Sequence, residues 1–254
     1  MKANSDRAAW LQGSATLCNT RPEPRQDRHR FVLLGAPRVG KGSQAELPAE
    51  HFGVCPLSTG DVFRNAKKLL TQCECSPAML DALSYMNSGE LVPDRTVISL
   101  IKERAKCLRC GGGFLLDGFP RTVAQAEALQ TILAENGTQL DAVLSYELPL
   151  ETIVTRLGGR RTCPKCQKVY HIESRPQKTT GICDDCRSEL VQRDDDRPEA
   201  IRVRMAAYQK STVPLEDFYR KKGLLVPIES DATPMGTFER TISALETRNG
   251  SFSR

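Results

Sequence analysis

The chain has 254 residues, 39% of them apolar, and a formal net charge of +5 from 36 Lys and Arg against 31 Asp and Glu. That length suits one large α/β domain with insertions or two small domains, and the apolar share supports a real core. The charge is too modest and dispersed to argue for nucleic acid, and no apolar run approaches the roughly eighteen residues of a membrane span.

Residues 1–29 are polar and carry several arginines. They lack the continuous apolar stretch of a secretory signal, so an unstructured extension is expected. Trp10, the single tryptophan, would then lie outside the core. The first apolar run, Phe31 to Leu34, ends in Gly35-Ala36-Pro37-Arg38-Val39-Gly40-Lys41-Gly42-Ser43-Gln44. This pattern predicts a buried parallel strand, a tight turn and a helix. Such a turn aims several backbone N–H groups at one point, and the helix dipole behind it adds partial positive charge. Lys41 brings a full charge to the β and γ phosphates of a nucleotide. The general pattern G-x-x-x-x-G-K-[ST] is not met, because Gly42 follows the lysine and Ser43 comes one place later. The helix should run from near Lys41 toward His51, with a kink or early end at Pro48.

Leu57 to Arg64 contains Ser58, Thr59 and Asp61, all good caps, and reads as a loop entering a helix. Residues 65–88 read as helical segments broken at Ser76-Pro77. Leu91 to Asp94 is a turn, with Asp94 placed to cap a helix through about residue 106. Phe114 to Asp117 is a second strand, followed by Gly118-Phe119-Pro120-Arg121 and a helix to about Asn136 that Gly137 can end. Ala142 to Tyr146 and Leu224 to Ile228 are a third and a fourth strand. Strands alternating with helices predict a parallel sheet with helices on both faces. Residues 158–192 break that rhythm as an inserted module, and residues 197–222 resume with a long helix holding Met205 and Tyr208 at apolar positions.

The insert carries Cys163-Pro-Lys-Cys166 and Cys183-Asp-Asp-Cys186. Two such pairs can fold back to set four thiolates at the corners of a tetrahedron, the geometry zinc accepts. Four protein ligands make a closed, structural site, whereas a catalytic zinc needs an open position. With no secretion signal, the ten cysteines read as thiolate chemistry in a reducing cytoplasm rather than as disulfides. Cys107-Leu-Arg-Cys110 lacks a sequence-adjacent partner, and Cys73 and Cys75 could complete a second site; buried or free thiols are the plainer expectation. His51 and His171 are expected to pack rather than to ligate.

Together these motifs resemble adenylate kinase, in its long form with a zinc-binding lid. Four blocks in order carry the likeness, from about residue 31 to 247: the loop Gly35 to Gln44, Ser58-Thr-Gly-Asp61 with Arg64, Leu116-Asp-Gly-Phe-Pro-Arg-Thr122, and Gln192-Arg-Asp-Asp-Asp-Arg197 followed by Arg202-Val-Arg204 and Tyr208. The resemblance implies a P-loop nucleoside monophosphate kinase fold, an α/β parallel sheet flanked by helices. Its core would be residues 30–57, 96–156 and 194–248. A monophosphate-binding flap would span 58–95 and a zinc-stapled lid 157–193, with an extension at 1–29 and a tail at 249–254. It also implies Mg2+-dependent transfer between ATP and AMP to give ADP, by a cytoplasmic monomer that engages neither nucleic acid nor membrane.

Roles follow residue by residue. Gly35, Ala36, Pro37, Arg38, Val39, Gly40, Lys41, Gly42, Ser43 and Gln44 would cradle ATP, with Arg156, Arg160, Val169 and Tyr170 from the lid side. Thr59, Arg64, Glu90, Leu91, Val92, Gly118, Phe119, Pro120, Arg121, Gln125, Arg193 and Arg204 would hold AMP. Lys41, Arg121, Arg160, Arg193 and Arg204 would surround the transferring phosphoryl group. Asp117 would organise water around Mg2+, Asp195 and Asp196 would orient the arginines, and Cys163, Cys166, Cys183 and Cys186 would bind Zn2+. Guanidinium groups suit the task because each is a planar, permanently charged fork of donors. Arg38 stands where the family has glycine. Three alternatives stay open: another monophosphate or GTP as substrate, a nucleic-acid-binding zinc ribbon on a degenerate nucleotide fold, and an inactive kinase serving as a structural partner.

Overall fold

The computed structural model describes residues 7–13, 28–36, 41–69, 77–88, 90–109, 111–148, 159–166, 168–173, 175–192, 197–230 and 233–249. Its strands are β1 (His29–Gly35), β2 (Cys55–Ser58), β3 (Gly113–Asp117), β4 (Ala142–Glu147), β5 (Arg160–Thr162), β6 (Val169–His171) and β7 (Leu225–Glu229). The helices are α1 (Ala8–Gln12), α2 (Lys41–Phe52), α3 (Thr59–Leu69), α4 (Pro77–Ser88), α5 (Asp94–Glu103), α6 (Val123–Glu135), α7 (Pro198–Ala207), α8 (Val213–Lys221) and α9 (Pro234–Asn249).

The apolar runs line up as one parallel sheet in the order β2-β3-β1-β4-β7. Successive side chains of a strand point to opposite faces, so β1 feeds two cores. Val32 and Leu34 pack with Leu57, Phe114, Leu116 and Val143 beneath α3, α5, α6 and α8. Phe31 and Leu33 pack with Leu115, Leu144 and Tyr146 beneath Ala45, Ala49 and Phe52 of α2 and Leu245 of α9. Burial on both faces explains why these strands read as continuous apolar runs rather than alternating ones.

β1 is central, with β3 on one side and β4 on the other. In open parallel sheets the crevice beyond the carboxyl ends of the strands, where strand order reverses, takes the ligand. Register sets Leu33 and Ser58 both opposite Asp117, so the segments leaving β1, β2 and β3 emerge side by side. Residues 159–192 fold separately as the antiparallel pair β5–β6, extended by bridges from Thr162 to Val191 and from Ile182 to Glu189.

Several local expectations are corrected. Trp10 is fully buried in the main core and sits on a short helix, so part of the N-terminal segment is ordered. Residues 55–58 form a strand, because Cys55 to Ser58 pair with Phe114 to Asp117. Pro48 neither ends α2 nor interrupts it; Pro48 is itself buried, and Ala45, Ala49 and Phe52 hold the helix against the sheet. Asp94 is the first residue of α5 rather than its cap, and that helix closes at Glu103 before a 3-10 turn over Ala105–Arg109. The long helix over 197–222 is divided by a π turn at Tyr208–Thr212. That turn lies just ahead of Pro214, which has no N–H to give to a preceding carbonyl.

Candidate active site

Lys41 opens α2. Its Nζ reaches back to two carbonyls at the end of β1, at 2.6 Å from Gly35 O and 2.8 Å from Ala36 O. The side chain is half-buried. Desolvation pushes its pKa down from 10.5 to about 7; Asp117 acts against this, while Arg121, Arg204 and Arg160 add to it. These groups come from five separate elements: α2, the end of β3, the turn after it, α7 and β5. Each lies close enough for its charge to reach the Lys41 ammonium. Four cations around one carboxylate favour an anion between them, and a chain of phosphates carries the matching charge.

Beside this cluster is an open cleft lined by Thr59, Gly60, Phe63, Arg64, Met86, Glu90, Leu91, Val92, Val97, Gly118, Arg121, Gln125 and Arg204. Thr59 starts α3, and its hydroxyl donates to the Asp117 carbonyl at 3.4 Å. Gly118 makes this junction possible. Its φ is +83°, and a Cβ there would stand 2.7 Å from Thr59 Oγ1 and 3.3 Å from a terminal nitrogen of Arg121. Arg121 is fixed from two sides: its Nε donates to Gly118 O at 2.9 Å, and its backbone N–H donates to Gln125 Oε1 at 2.8 Å. Gln125 Nε2 donates in turn to Asp94 Oδ1 at 2.7 Å, and the Thr122 hydroxyl donates to Asp94 Oδ2 at 3.0 Å. The Asp94 carboxylate, at the start of α5, thus orients the first turn of α6. Arg64 pairs with Asp61 at 2.6 Å and lies over Gly60.

In the insert, the four sulfurs of Cys163, Cys166, Cys183 and Cys186 lie within 4.8 Å of one another. The separation is 3.2 Å for Cys163–Cys186 and 3.5 Å for Cys166–Cys183. Zinc with Zn–S bonds of about 2.3 Å needs sulfur–sulfur edges of about 3.8 Å, so the donor set fits a tetrahedral ion after small shifts. Both pairs share one turn geometry: the Cys163 N–H donates to Lys168 O and the Cys183 N–H to Ser188 O, each at 2.9 Å. Arg187 sits at φ +60°, closing the second turn.

The structure sorts the expected site residues. Lys41, Asp117, Arg121, Arg160 and Arg204 share one electrostatic neighbourhood. Thr59, Arg64, Glu90, Leu91, Val92, Gly118, Arg121, Gln125 and Arg204 share one cleft. Gln44 is buried and donates to Pro234 O at 2.7 Å, which commits its amide nitrogen to α9 rather than to the turn. Phe119 packs its side chain into the core, and Pro120, joined to it by a cis peptide, is buried as well. Tyr170 is buried; its hydroxyl lies 3.4 Å from Cys183 Sγ and accepts from the Asp184 N–H at 2.8 Å. Val169 beside it is half-buried. Gly42 and Ser43 lie in the first turn of α2; the side chain of Ser43, and Pro37, Arg38, Val39, Gly40, Arg156, Arg193, Asp195, Asp196, Cys73, Cys75 and Cys110, lie outside the described residues.

Sequence reading missed Gly60, Phe63, Met86 and Val97 as cleft walls, and Asp94 as the residue that orients Gln125. Helical spacing could have found two of them. Thr59, Gly60, Phe63 and Arg64 fall at i, i+1, i+4 and i+5, on one face of α3.

A sequence model of the adenylate kinase family matches residues 33–224. The chain belongs to the adenylate kinase family. It is 45% identical to an adenylate kinase of Carboxydothermus hydrogenoformans over 217 residues, covering 85% of this chain and 99% of that protein. It is 47% identical to an adenylate kinase of Pelobacter propionicus over 198 residues, covering 78% and 88% respectively. It is also 43% identical to an adenylate kinase of the archaeon Archaeoglobus fulgidus over 216 residues. Among the described residues, no helix of this family member is long and apolar enough to cross a membrane.

Proposed function

We infer that the protein is an adenylate kinase that transfers the terminal phosphoryl group of ATP to AMP, reversibly, to give two ADP. The observation that carries this reading is the meeting of Lys41, Arg121, Arg160 and Arg204 around Asp117, next to the cleft walled by α3, α5 and the turn after β3. A phosphate oxygen of AMP attacks the γ-phosphorus of ATP in line. The bond from that phosphorus to the β,γ-bridging oxygen breaks, and the bridging oxygen stays on the departing ADP. Little covalent help is needed, so the work of the protein is positioning and charge neutralisation.

Arg64 and Arg121 would hold the AMP phosphate, and Thr59 and Gln125 would read its base. Lys41 and the turn before it would hold the phosphates of ATP, and Arg160 and Arg204 would meet the group in flight. Arg156 and Arg193 would add to that cluster, oriented by Asp195 and Asp196. Bound Mg2+ would neutralise charge on the β and γ oxygens, with Asp117 ordering its waters. Zn2+ held by Cys163, Cys166, Cys183 and Cys186 would keep the lid rigid while its hinges move; a module this small buries little core of its own. A reducing cytoplasm fits these thiolates.

The test is a coupled assay over a panel of nucleotides with metal analysis on the same sample. Turnover of ATP with AMP, and one zinc per chain, is expected. Robust phosphorylation of UMP or CMP with no detectable turnover of AMP would overturn the adenylate assignment.

A further inference from the structure

We propose that residues 7–13 form an intramolecular brace for the monophosphate side of the cleft, with Arg7 and Trp10 as positioning residues for the bound monophosphate. This segment lies upstream of residues 33–224, the stretch that matches the family. The proposal rests on reading the cleft as the monophosphate site.

The contacts are specific and converge on one place. Trp10 is 0% exposed, and its indole Nε1 donates to Ser58 O at 2.9 Å. Ser58 is the last residue of β2, and its hydroxyl accepts from the Asp61 N–H at the start of α3. Trp10 therefore grips the carbonyl that immediately precedes Thr59. Arg7 reaches both sides of that carbonyl: its guanidinium is 3.4 Å from Pro56 O in β2 and 3.4 Å from Asp61 Oδ2 in α3. The other oxygen of that carboxylate, Oδ1, is 2.6 Å from Arg64. Asn65 Nδ2 closes the set by donating to Leu11 O at 3.5 Å.

The opposite side of the segment is tied to α5. Arg104, only 5% exposed, donates through Nε to Trp10 O at 2.7 Å. Gly13, at φ +107°, lies so close to α5 that a Cβ there would stand 2.9 Å from Glu103 Oε1. The segment is thus wedged between α3, which gives the cleft Thr59, Gly60, Phe63 and Arg64, and α5, which gives it Val97. It links two walls of one cleft without touching its interior.

Charge gives the brace a direct effect. A phosphate must compete with Asp61 for the Arg64 guanidinium. Arg7 shares the carboxylate of Asp61 and so weakens its hold on Arg64. Loss of Arg7 leaves that carboxylate to Arg64, and the monophosphate binds less tightly. The donor from Trp10 fixes the backbone from which Thr59 and Arg64 project. Because these pairs are partly exposed, each is expected to act about two- to ten-fold, the factor carried by one hydrogen bond.

The experiment uses the full chain and three variants: Arg7→Gln, Arg7→Lys and Trp10→Phe. Each is measured for kcat, KM for AMP and KM for ATP, with a thermal melt to verify folding. Arg7→Gln and Trp10→Phe should raise KM for AMP about two- to ten-fold while kcat and KM for ATP stay within two-fold, and Arg7→Lys should restore most of the loss. Trp10 is the only tryptophan, so its emission reports the brace directly. It should be that of a buried indole and should respond to AMP but not to ATP. Emission of a fully solvated tryptophan would overturn the proposal, as would folded variants with unchanged KM for AMP. A parallel rise of both KM values would mark a merely structural role and also overturn it. If Trp10→Phe fails to fold, Arg7→Gln decides alone. A wild-type enzyme that prefers another monophosphate would sink the AMP reading but not the brace, which is then judged on KM for that substrate.

Discussion

Replacing Gly118 by alanine probes the junction on which both halves of the site depend. At φ +83° an L-residue costs about 1–2 kcal/mol. The new Cβ would also stand 2.7 Å from Thr59 Oγ1 and 3.3 Å from an Arg121 terminal nitrogen. Thr59 cannot swing away freely, since it is β-branched and 3% exposed. Forcing it off its rotamer costs about 0.5–1.5 kcal/mol, and losing its bond to the Asp117 carbonyl costs about as much again. The sum is about 2–5 kcal/mol, divided between folding stability and the placement of two ligand-facing groups. With about 1.4 kcal/mol per decade, kcat/KM for AMP should fall about 10- to 100-fold. Each kcal/mol that appears in stability should lower Tm by about 2–4 °C. Kinetics with AMP varied at saturating ATP, run beside a thermal melt, measure both shares. If Gly118→Ala keeps its Tm and holds kcat/KM within two-fold of wild type, the reasoning from steric closure at this turn is wrong.

Three further predictions concern protons, a carboxylate and the metal. Lys41 holds its proton less tightly than a free lysine, with a pKa of about 7 against 10.5. The unfolded chain therefore binds more protons between those values, and the nucleotide-free protein should gain stability as pH rises through that window, which denaturant titrations at several pH values would reveal. ATP phosphates should restore the charge, so calorimetry near neutral pH in buffers of different ionisation enthalpy should register proton uptake on ATP binding. Asp94→Ala should strip the acceptor from the buried Gln125 amide, costing about 1–3 kcal/mol and raising KM for AMP well above KM for ATP in coupled kinetics. Removing the metal with a chelator, or substituting Cys163→Ser, should lower Tm and activity together, with re-addition of zinc restoring the chelated sample; apparent zinc binding of about 10–16 kcal/mol in small modules sets the scale.

What the sequence revealed best were the residues whose chemistry constrains their own neighbourhood. Asp117 with Gly118 and the two cysteine pairs carry local spacing that dictates local geometry. Strands buried on both faces were legible for the same reason, as uninterrupted apolar runs. What stayed hidden depends on partners distant in the chain. Nothing local to Trp10 announces that a carbonyl at Ser58 and a guanidinium at Arg104 await it. The strand at Cys55 to Ser58 is defined by its partner β3 and is short enough to pass for a loop. The contacts of the Tyr170 hydroxyl with Cys183 Sγ and the Asp184 N–H were equally hidden, since both partners lie across the module. Asp94 looked like a cap because carboxylates favour helix starts, but tertiary hydrogen bonds to Thr122 and Gln125 claim it.

The proposed mechanism needs one cationic cluster between two nucleotide sites in a single chain. Titrating the protein with one molecule that joins two adenosines through a chain of phosphates probes that arrangement. A single equivalent should bind per chain and compete with ATP and with AMP alike, and Lys41→Ala should weaken it severely. Competition against only one nucleotide, or two equivalents bound independently, would contradict a shared centre.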